Sequence, residues 1–365
     1  MLGRAVAKLS DMLELIQLTL PTDFDGPDAE LHRGALAVNK ASQIAGVGHA
    51  DFAMQRHDLA YRLTPRPDFS SYVIVAVEDA RVVGFAEGEA SMNDNLTQCE
   101  LQVTVHPDHR RRGIGTAMLA DVQRWAHSLE RTVHITWTLV RPLAEGEATV
   151  VAPTGDHYPA DDPGWQFASQ AGFTLEQVER FSVVHLPIPN KAELHADALA
   201  HADGYRLHNW ADAIPEDWLD GYAALRARVS IDVPNAGIET EEEVWDAARV
   251  QRSWDLIQSL GYNRLTVAAE HEASGQLVGF TQISWHTGNP SRTYQGYTFV
   301  RSDHRGHRLG MLIKMSALDV LATANPAANR IETDNAGEND HMLAINNAMG
   351  YKLAGLIAYM QKKFD

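Results

Sequence analysis

The sequence is poor in cysteine and holds no long apolar run. Cys99 is the single cysteine among 365 residues, so an intrachain disulfide is excluded and a reducing compartment such as the cytoplasm is expected. No apolar segment approaches the length of a membrane span. Lys8, Asp11 and Glu14 interrupt the first 20 residues, where a signal peptide would need an uninterrupted apolar core. We therefore expect a cytoplasmic protein without a membrane partner.

Positive charge is also scarce. The chain has 31 Lys and Arg against 48 Asp and Glu, which gives a formal net charge of −17. Because such a surface repels phosphate backbones, nucleic acid is not expected as a partner. Histidine is common, with 17 residues, but no HxxxH or CxxC spacing indicates a metal site. A chain of this length is about right for two domains.

Against this acidic background, three consecutive arginines followed by two glycines stand out at residues 109–115, His-Arg-Arg-Arg-Gly-Ile-Gly. The Val- and Thr-containing run at 99–105 predicts a strand before them. Apolar residues at helical spacing predict an amphipathic helix after them, and they are Ile114, Met118, Leu119, Val122, Trp125 and Ala126. The loop therefore opens a helix, where unpaired amides and the helix dipole favour phosphate.

Two other interpretations of this loop stay open. A solvated basic turn can cap a helix without binding a ligand. A P-loop nucleotide site is disfavoured, because no Gly-Lys-Ser/Thr occurs here. Around the loop, apolar runs predict strands at 72–77, 82–90, 96–105 and 133–140, the first three as an antiparallel meander and the last as a parallel partner.

The pattern Arg110-x-x-Gly113-x-Gly115, with VTVHPDH before it and TAMLADVQRWA after it, resembles the pyrophosphate loop of the GNAT superfamily of acyl-CoA-dependent N-acetyltransferases. The resemblance implies a mixed α/β fold and acetyl-CoA, or another acyl-CoA, as cofactor. It also implies that the strand before the loop pairs with the pantetheine arm. The implied donor-binding residues are Val103, Thr104, Val105, Arg110, Arg111, Arg112, Gly113, Ile114, Gly115 and Thr116.

The chain repeats itself. Val83-Gly84-Phe85 recurs as Val278-Gly279-Phe280, and His109-Arg110 recurs as His304-Arg305, each 195 positions further on. Chance does not keep one offset across strands and a loop, so two tandem copies of the same fold are predicted.

After the loop, the offset of the repeat changes. Gly172-Phe173 matches Gly350-Tyr351, which are 178 positions further on, so the first copy carries about 17 extra residues. They fall in the Pro/Gly-rich segment 141–164. We predict an N-terminal domain at 1–190 and a C-terminal domain at 204–365.

The whole chain resembles the tandem GNAT proteins typified by mycothiol synthase, and its second half is more similar to a branch of tandem acetyltransferases common in actinobacteria. The segments that carry this resemblance are IDVPNAGIETEEEVWDAARV, TFVRSDHRGHRLG and TDNAGENDHMLAINNAMGY. The resemblance implies a second donor site, whose residues are Thr298, Phe299, Val300, Arg305, Arg308, Gly310, Asn335 and Asn339. Arg308 stands where the first copy has Gly113.

The usual proton donor of the family is missing from both copies. Many GNAT enzymes show Asn-x-x-Ala-x-x-x-Tyr-x-x-x-Gly-Phe, with the Tyr facing the coenzyme sulfur. Here Asn346 takes the Tyr position in the second copy, and Ala168 takes it in the first. Because an amide donates a hydrogen bond but does not supply a proton, Asn346 is a candidate catalytic residue in that limited sense.

The catalytic base is expected in the first copy among Glu87, Glu89 and Glu100. Glu100 is preferred because it lies on the strand before the loop, and the alternative for each glutamate is a solvated strand face. In the second copy, the corresponding strand and its surroundings offer Tyr294, Gln295, Tyr297, His286 and His304.

Two functions are consistent with these residues. The first is an N-acetyltransferase that acts on the primary amine of a small, cationic metabolite, because an acidic cleft concentrates cations. The segment 141–164 would supply an acidic lid through Glu145, Glu147, Asp156, Asp161 and Asp162. The second is a protein that binds or senses acyl-CoA without turnover. The acceptor amine and the oligomeric state are not predicted.

Overall fold

The computed structural model describes residues 5–8, 13–211 and 213–364. Its internal contacts divide the chain into two compact units. Unit 1 comprises Met1–Val178, Ala236–Glu239 and Ile357–Asp365, and unit 2 comprises Glu179–Asn235 and Thr240–Leu356. The predicted domains 1–190 and 204–365 follow the sequence repeat, whereas these units also draw on short segments from the opposite half of the chain.

Unit 1 is built on a mixed sheet whose strands follow one another in space as they do in sequence. The strands are β1 (Ala5–Lys8), β2 (Leu13–Gln17), β3 (Phe69–Glu78), β4 (Arg81–Ser91), β5 (Gln98–Val105) and β6 (Val133–Val140). Neighbours from β1 to β5 are antiparallel, and β5 and β6 are parallel. The strands predicted at 72–77, 82–90, 96–105 and 133–140 are therefore present.

Helices cover both faces of this sheet. They are α1 (Glu30–Val47), α2 (Arg56–Leu63), α3 (Ile114–Ser128) and α4 (Pro163–Gln170), and a small hairpin of β7 (Thr149–Val151) and β8 (His157–Pro159) precedes α4. On β4, Phe85 packs with Ala35 of α1 and Leu59 of α2. The preceding residue, Gly84, faces the other side of the sheet, where its lack of a side chain leaves space for Met118 of α3. Alternate β4 side chains thus face opposite helical layers, as the period of a strand requires.

Strands β5 and β6 separate after a short parallel ladder. They pair only at Gln98–Glu100 and Val133–Ile135. Strand β5 nevertheless stays paired with β4 as far as Val105. One backbone edge of 101–105 is therefore left open toward β6, and this opening positions the site described below.

Unit 2 repeats the same plan. Its strands are residues 179–185 of β9 (Thr174–His185), then β10 (Tyr205–Trp210), β11 (Tyr262–His271), β12 (Gln276–His286), β13 (Asn289–Val300) and β14 (Arg330–Ala336). Their spatial order is β9-β14-β13-β12-β11-β10, with β13 and β14 parallel. The helices are α5 (Lys191–Leu199), α6 (Glu216–Asp232), α7 (Ala247–Ser259), α8 (Leu309–Ala324) and α9 (Asp340–Met349).

The last strand, β15 (Lys352–Lys363), contributes to unit 1 from Ile357 onward, where it is the neighbour of β6. The predicted mixed α/β fold in two copies is confirmed. Residues 5–8 and 13–17 are strands, whereas residues 1–4 and 9–12 lie outside the described part. Within the described part, no helix combines the length and the apolarity that crossing a bilayer requires.

Candidate functional site

A cleft of about 820 Å³ lies in unit 1, where β5 and β6 separate. Its walls come from the open edge of β5, the facing residues of β6, helix α1, the loop at 109–116 and the start of α4. Met360, from the last strand of the chain, completes one side. The two strand edges and the loop predicted to bind the donor therefore line one continuous cavity.

The loop turns sharply before α3. Gly113 caps the helix with φ of 81°, a left-handed conformation that glycine adopts without strain, and Arg111 has φ of 61°. A side chain at Gly113 would meet nothing within 4 Å, so the backbone is open on that side. The first helical bond runs from the Ala117 amide to the Gly113 carbonyl. Among the described residues, the amides of 111–116 have no acceptor, which suits an anionic group at the helix N-terminus.

The three arginines of the loop have different environments. Arg110 is half-buried; its Nε donates to the Val105 carbonyl at 3.2 Å and its Nη2 to the Ser42 hydroxyl at 3.1 Å, so it ties β5 to α1. Arg112 pairs with Glu78 at 2.8 Å and lies outside the cleft lining. Arg111 is exposed and lines the cleft. Of the three, Arg111 is therefore the one placed to meet a bound phosphate.

The Gln102 side chain spans the gap between β5 and β6. In the orientation that satisfies both ends of its amide, its nitrogen donates to the Trp137 carbonyl at 3.0 Å. Its oxygen accepts from the Trp137 backbone amide at 3.1 Å and, at 2.8 Å, shares the single indole N–H of Trp137 with Glu100. The side-chain amide of Gln102 thus takes the place of backbone hydrogen bonds between β5 and β6. It sets the separation of the two strands at this point to the length of one side chain.

Three carboxylates lie on the α1/α2 face of β4 and β5. Glu89 is opposite Glu100 in the ladder, and Glu87 is opposite Gln102. Glu89 pairs closely with Arg66. Glu100 accepts from the Trp137 indole at 2.9 Å, and a second cavity of about 10 Å³ has all three glutamates and Arg62 in its wall. That volume is about the size of one water molecule or ammonium group.

Of these three carboxylates, Glu87 is the one that lines the main cleft. Only 5% of the residue is exposed; its Oε1 is 2.9 Å from Arg62, and its Oε2 has no partner. Burial raises the pKa of Glu87 to about 7; Arg62 opposes the shift and the charge of Glu100 adds to it. Burial also raises the pKa of Glu100, while its bond from Trp137 opposes this. A base that titrates near neutral pH therefore faces the cleft.

No tyrosine is among the residues that line this cleft. Ala168 lines it from α4, at the position where the family pattern has tyrosine. Tyr158, from the hairpin, is fully buried and donates to Asp162 at 3.2 Å. Burial raises the pKa of Tyr158 far above its ordinary value, so it is unsuited to giving up a proton.

The segment 141–164 is a folded hairpin and the start of α4. Of its five acidic residues, only Asp162 lines the cleft, and it caps α4 by accepting from the Trp165 amide at 2.7 Å. Glu147 instead forms a bidentate pair with Arg141 at 2.7 and 2.9 Å, and this guanidinium lowers the pKa of Glu147 to about 2. The acidic residues that line the cleft are therefore Asp162 and Glu87 of β4.

Unit 2 reproduces the framework of the loop. Arg305 Nε donates to the Val300 carbonyl at 3.2 Å, as Arg110 does to Val105. Gly306 has φ of 86° and Arg308 has φ of 52°, so the backbone follows the same left-handed path. The Arg308 guanidinium forms a close ion pair with Asp197 of α5. The side chain in place of Gly113 is thus held by a carboxylate.

The predicted residues around α9 have structural partners. The Asn339 side chain caps the helix by accepting from the Met342 amide at 3.2 Å. Asn346 is 3% exposed; its Oδ1 accepts from Lys314 Nζ at 2.6 Å, and its Nδ2 donates to Asn335 Oδ1 at 2.5 Å. A catalytic role for Asn346 stays a prediction, and in this arrangement both ends of its amide are already bonded.

The other predicted residues of the second copy contact neighbouring residues within unit 2. Thr298 shares a hydroxyl–hydroxyl hydrogen bond of 2.8 Å with Thr281, and Phe299 is buried in the core. Gly310 lies against Ile345 of α9, as Gly115 lies against Phe167 of α4. In the described part of the chain, no group of three or more His, Cys, Asp or Glu is arranged to hold a metal ion.

Arg62, Gln102, Trp137 and Lys314 were missed by the sequence reasoning. Arg62 lies on the short helix α2, and Gln102 and Trp137 lie on the predicted strands β5 and β6. The sequence does not specify which side chains these three residues contact. Lys314 carries a signal that was available, because it interrupts the run MLIKMSALDVL at a position that repeats Leu119. A lysine within an otherwise apolar helix marks a buried charge.

Comparison with known proteins agrees with this fold. Residues 69–148 match the family described as "Acetyltransferase (GNAT) domain". A solved structure titled a tandem GNAT protein from the clavulanic acid biosynthesis pathway, without acetyl-CoA, has a TM-score of 0.73 and 24% identity over 96% of this chain and 98% of that one. A GCN5-related N-acetyltransferase from Sphaerobacter thermophilus has a TM-score of 0.61 and 14% identity over 98% and 97%.

A curated relative, the mycothiol acetyltransferase of Nocardiopsis dassonvillei, is 34% identical over 138 residues. The match covers 34% of this chain and 40% of the relative, so it spans less than half of that protein's length. The sheet, loop and helix of residues 69–148 define a GNAT acetyltransferase domain. Over the whole chain, the repeated units share the fold of the tandem GNAT structure.

Proposed function

We propose that the chain is an acyl-CoA-dependent N-acyltransferase that uses acetyl-CoA and modifies the primary amine of a small, cationic metabolite. The reaction takes place in unit 1. The observation that carries this proposal is Glu87, a buried carboxylate that faces the cleft with one unpaired oxygen and a pKa of about 7.

Backbone groups and a small number of charged side chains bind the acyl-CoA donor. The free amides of 111–116 and the exposed Arg111 receive the diphosphate. The open edge of Val103–Val105 pairs with the pantetheine arm, and a freed amide of this edge polarises the thioester carbonyl. Gln102 keeps β6 at the distance that this arm needs. Acetyl-CoA supplies the activated acyl carbon.

The acceptor enters where the three carboxylates lie. Glu87 is paired with Arg62 and Glu89 with Arg66, whereas Glu100 accepts a hydrogen bond from the neutral indole of Trp137. This cluster of three carboxylates attracts an ammonium group. Glu87 Oε2 removes a proton from the ammonium, the neutral amine attacks the thioester carbon, and the C–S bond breaks. As the C–S bond breaks, the attacking nitrogen also releases its second proton to water. Of the two protons that the ammonium loses, one reaches the departing thiolate through water and the other goes to solvent, so the reaction yields an amide, a free thiol and a proton.

The test is thiol release from acetyl-CoA across a panel of small primary amines. We expect amine-dependent release with at least one of them, and kcat/KM that rises with pH through about 7 as Glu87 loses its proton. Small anionic amines and a basic peptide serve as comparisons for acceptor charge and size. A profile without an inflection near pH 7 would contradict the role of Glu87.

A second function is supported by one observation. With Ala168 in the tyrosine position and no tyrosine in the cleft lining, unit 1 lacks the usual group that protonates the thiolate. A protein that binds or senses acyl-CoA without turnover accounts for this. Saturable binding of acetyl-CoA with no thiol release from any amine of the panel would favour this function over the transferase.

A further inference from the structure

The two units share the parts that shape a donor cleft. The arginine that ties the loop to the preceding strand, the left-handed turn and the packing of a glycine against the second helix recur with closely similar geometry. A difference in the cleft itself therefore reflects side chains that differ between the copies, since the backbone frame around it is retained.

Three positions that line the cleft of unit 1 carry different side chains in unit 2. By the offset of 195, Leu119 corresponds to Lys314. By the offset of 178, Ala168 corresponds to Asn346. The parallel ladders align Val133 with Ile331 and therefore Trp137 with Asn335. In unit 1 these positions leave space, because the three side chains line the 820 Å³ cleft.

In unit 2 the corresponding side chains bond to one another. Lys314 of α8 donates to Asn346 of α9 at 2.6 Å, and Asn346 donates to Asn335 of β14 at 2.5 Å. Lys314 is 1% exposed, and its ammonium lies 5.5 Å from the Tyr351 ring. The chain of three residues therefore links both helices to the strand across the space that a pantetheine arm would need.

The opposite side of the gap is also occupied. The Thr333 hydroxyl donates to the Gln295 carbonyl at 2.9 Å, and the Tyr351 hydroxyl donates to the Gln295 side chain at 3.0 Å. Gln295 follows the last residue of the β13–β14 ladder and corresponds to Glu100, the last ladder residue of β5 in unit 1. The backbone acceptor at the point where the two strands of unit 2 separate is thus already bonded.

We propose that unit 2 contains a latent acyl-CoA site, closed by the hydrogen-bonded chain of Lys314, Asn346 and Asn335, so that each protein chain binds one acyl-CoA, in unit 1. This inference rests on the proposed function only for the identity of the ligand. The class of ligand that the latent site would take is the same, a pantetheine arm with a diphosphate at the N-terminus of α8.

The first experiment measures stoichiometry by titration calorimetry with acetyl-CoA. We expect one site per full-length chain, and no remaining site after Gly113→Trp, because a bulky side chain on the open face of the loop obstructs the approach to the amides. Two sites in the unaltered protein, or a site that survives Gly113→Trp with its affinity unchanged, would overturn the proposal. Absence of any binding to the unaltered protein would overturn the proposed function as well.

The second experiment gives unit 2 the residues of unit 1. We expect Lys314→Leu, Asn346→Ala and Arg308→Gly, combined, to raise the stoichiometry from one to two. Lys191→Leu is the matched control, since this lysine of α5 pairs with Asp319 outside the closed groove, and it should leave one site. Thermal unfolding confirms that each variant is folded. A folded triple variant that still binds one acetyl-CoA would contradict closure by these side chains.

Discussion

Unit 1 and unit 2 differ less in backbone than in the charge and hydrogen bonding of their clefts. At the position of Glu87, unit 2 has Gln282, which donates to Thr266 at 3.0 Å, and at the position of Glu89 it has Ser284. The groove that is open in one unit is bridged by amides and a lysine in the other. The comparison teaches that a duplicated fold can retain its loop geometry while the two copies diverge in what they can bind.

The largest effect expected from this comparison is on catalysis. Glu87→Gln should lower kcat/KM by about 10²- to 10⁴-fold, because the cleft loses its base. The reciprocal Gln282→Glu should add no activity, since the groove beside it stays closed. Steady-state thiol release measures both.

Glu89→Gln is the control for this prediction. Glu89 lies on the same strand face and is bound to Arg66, and it lines only the small cavity. This variant should keep the inflection near pH 7. If it abolishes the inflection while Glu87→Gln keeps it, the assignment of the base is wrong.

The next effect concerns stability and involves Lys314. Burial lowers the pKa of Lys314 to about 7, so between pH 7 and its ordinary value the unfolded chain binds more protons than the folded one. Stability of the unaltered protein should therefore rise with pH across that window. Lys314→Leu should remove this rise and increase the free energy of unfolding at pH 6 by on the order of 3 kcal/mol.

Denaturant titrations at pH 6 and pH 9 measure this difference. The reverse change in unit 1, Leu119→Lys, sharpens the test, because it should lower both stability and affinity for acetyl-CoA. A Lys314→Leu variant whose stability varies with pH as the unaltered protein does would show that Lys314 is not the group responsible.

A smaller effect is expected at Gln102. Gln102→Ala removes the hydrogen bonds to Trp137 that bridge β5 and β6, and a net loss of about 1 kcal/mol should raise the KM for acetyl-CoA by roughly fivefold. The kcat with saturating donor should change less. Gln98→Ala, on the same strand but bonded to the Glu239 carbonyl, should leave both constants near their original values.

The smallest effect is expected in the segment 141–164. Neutralising the exposed residues Glu145 and Asp161 together should change the KM for the amine by less than about twofold, because exposed charges outside the cleft are screened by solvent. A change of tenfold or more in this KM would indicate that the segment 141–164 does act as an acidic lid that helps to bind the amine. Deleting 144–160 is a poorer test, since it removes Tyr158 from the core.

The strands, the loop and the repeat follow from the sequence because each is a local pattern with a fixed period or offset. The choice between Glu87 and Glu100 does not, since it depends on which carboxylate the helices α1 and α2 enclose and on the position of Arg62. Likewise, the spacing from Gly350 locates Asn346 on a helix, but its bond to Lys314 joins residues 32 positions apart. Sequence spacing within α9 does not identify that partner on α8.

The last strand of the chain has a consequence for biosynthesis. Ile357–Asp365 belongs to unit 1, where Met360 lines the cleft and Gln361 accepts from the Glu239 amide at 2.9 Å. A ribosome that has released residues 1–178 has therefore not yet made the strand that covers the edge of β6. Until β15 (Lys352–Lys363) has been made, that edge is an unpaired template for another chain, which favours misassembly of the nascent protein during the synthesis of unit 2.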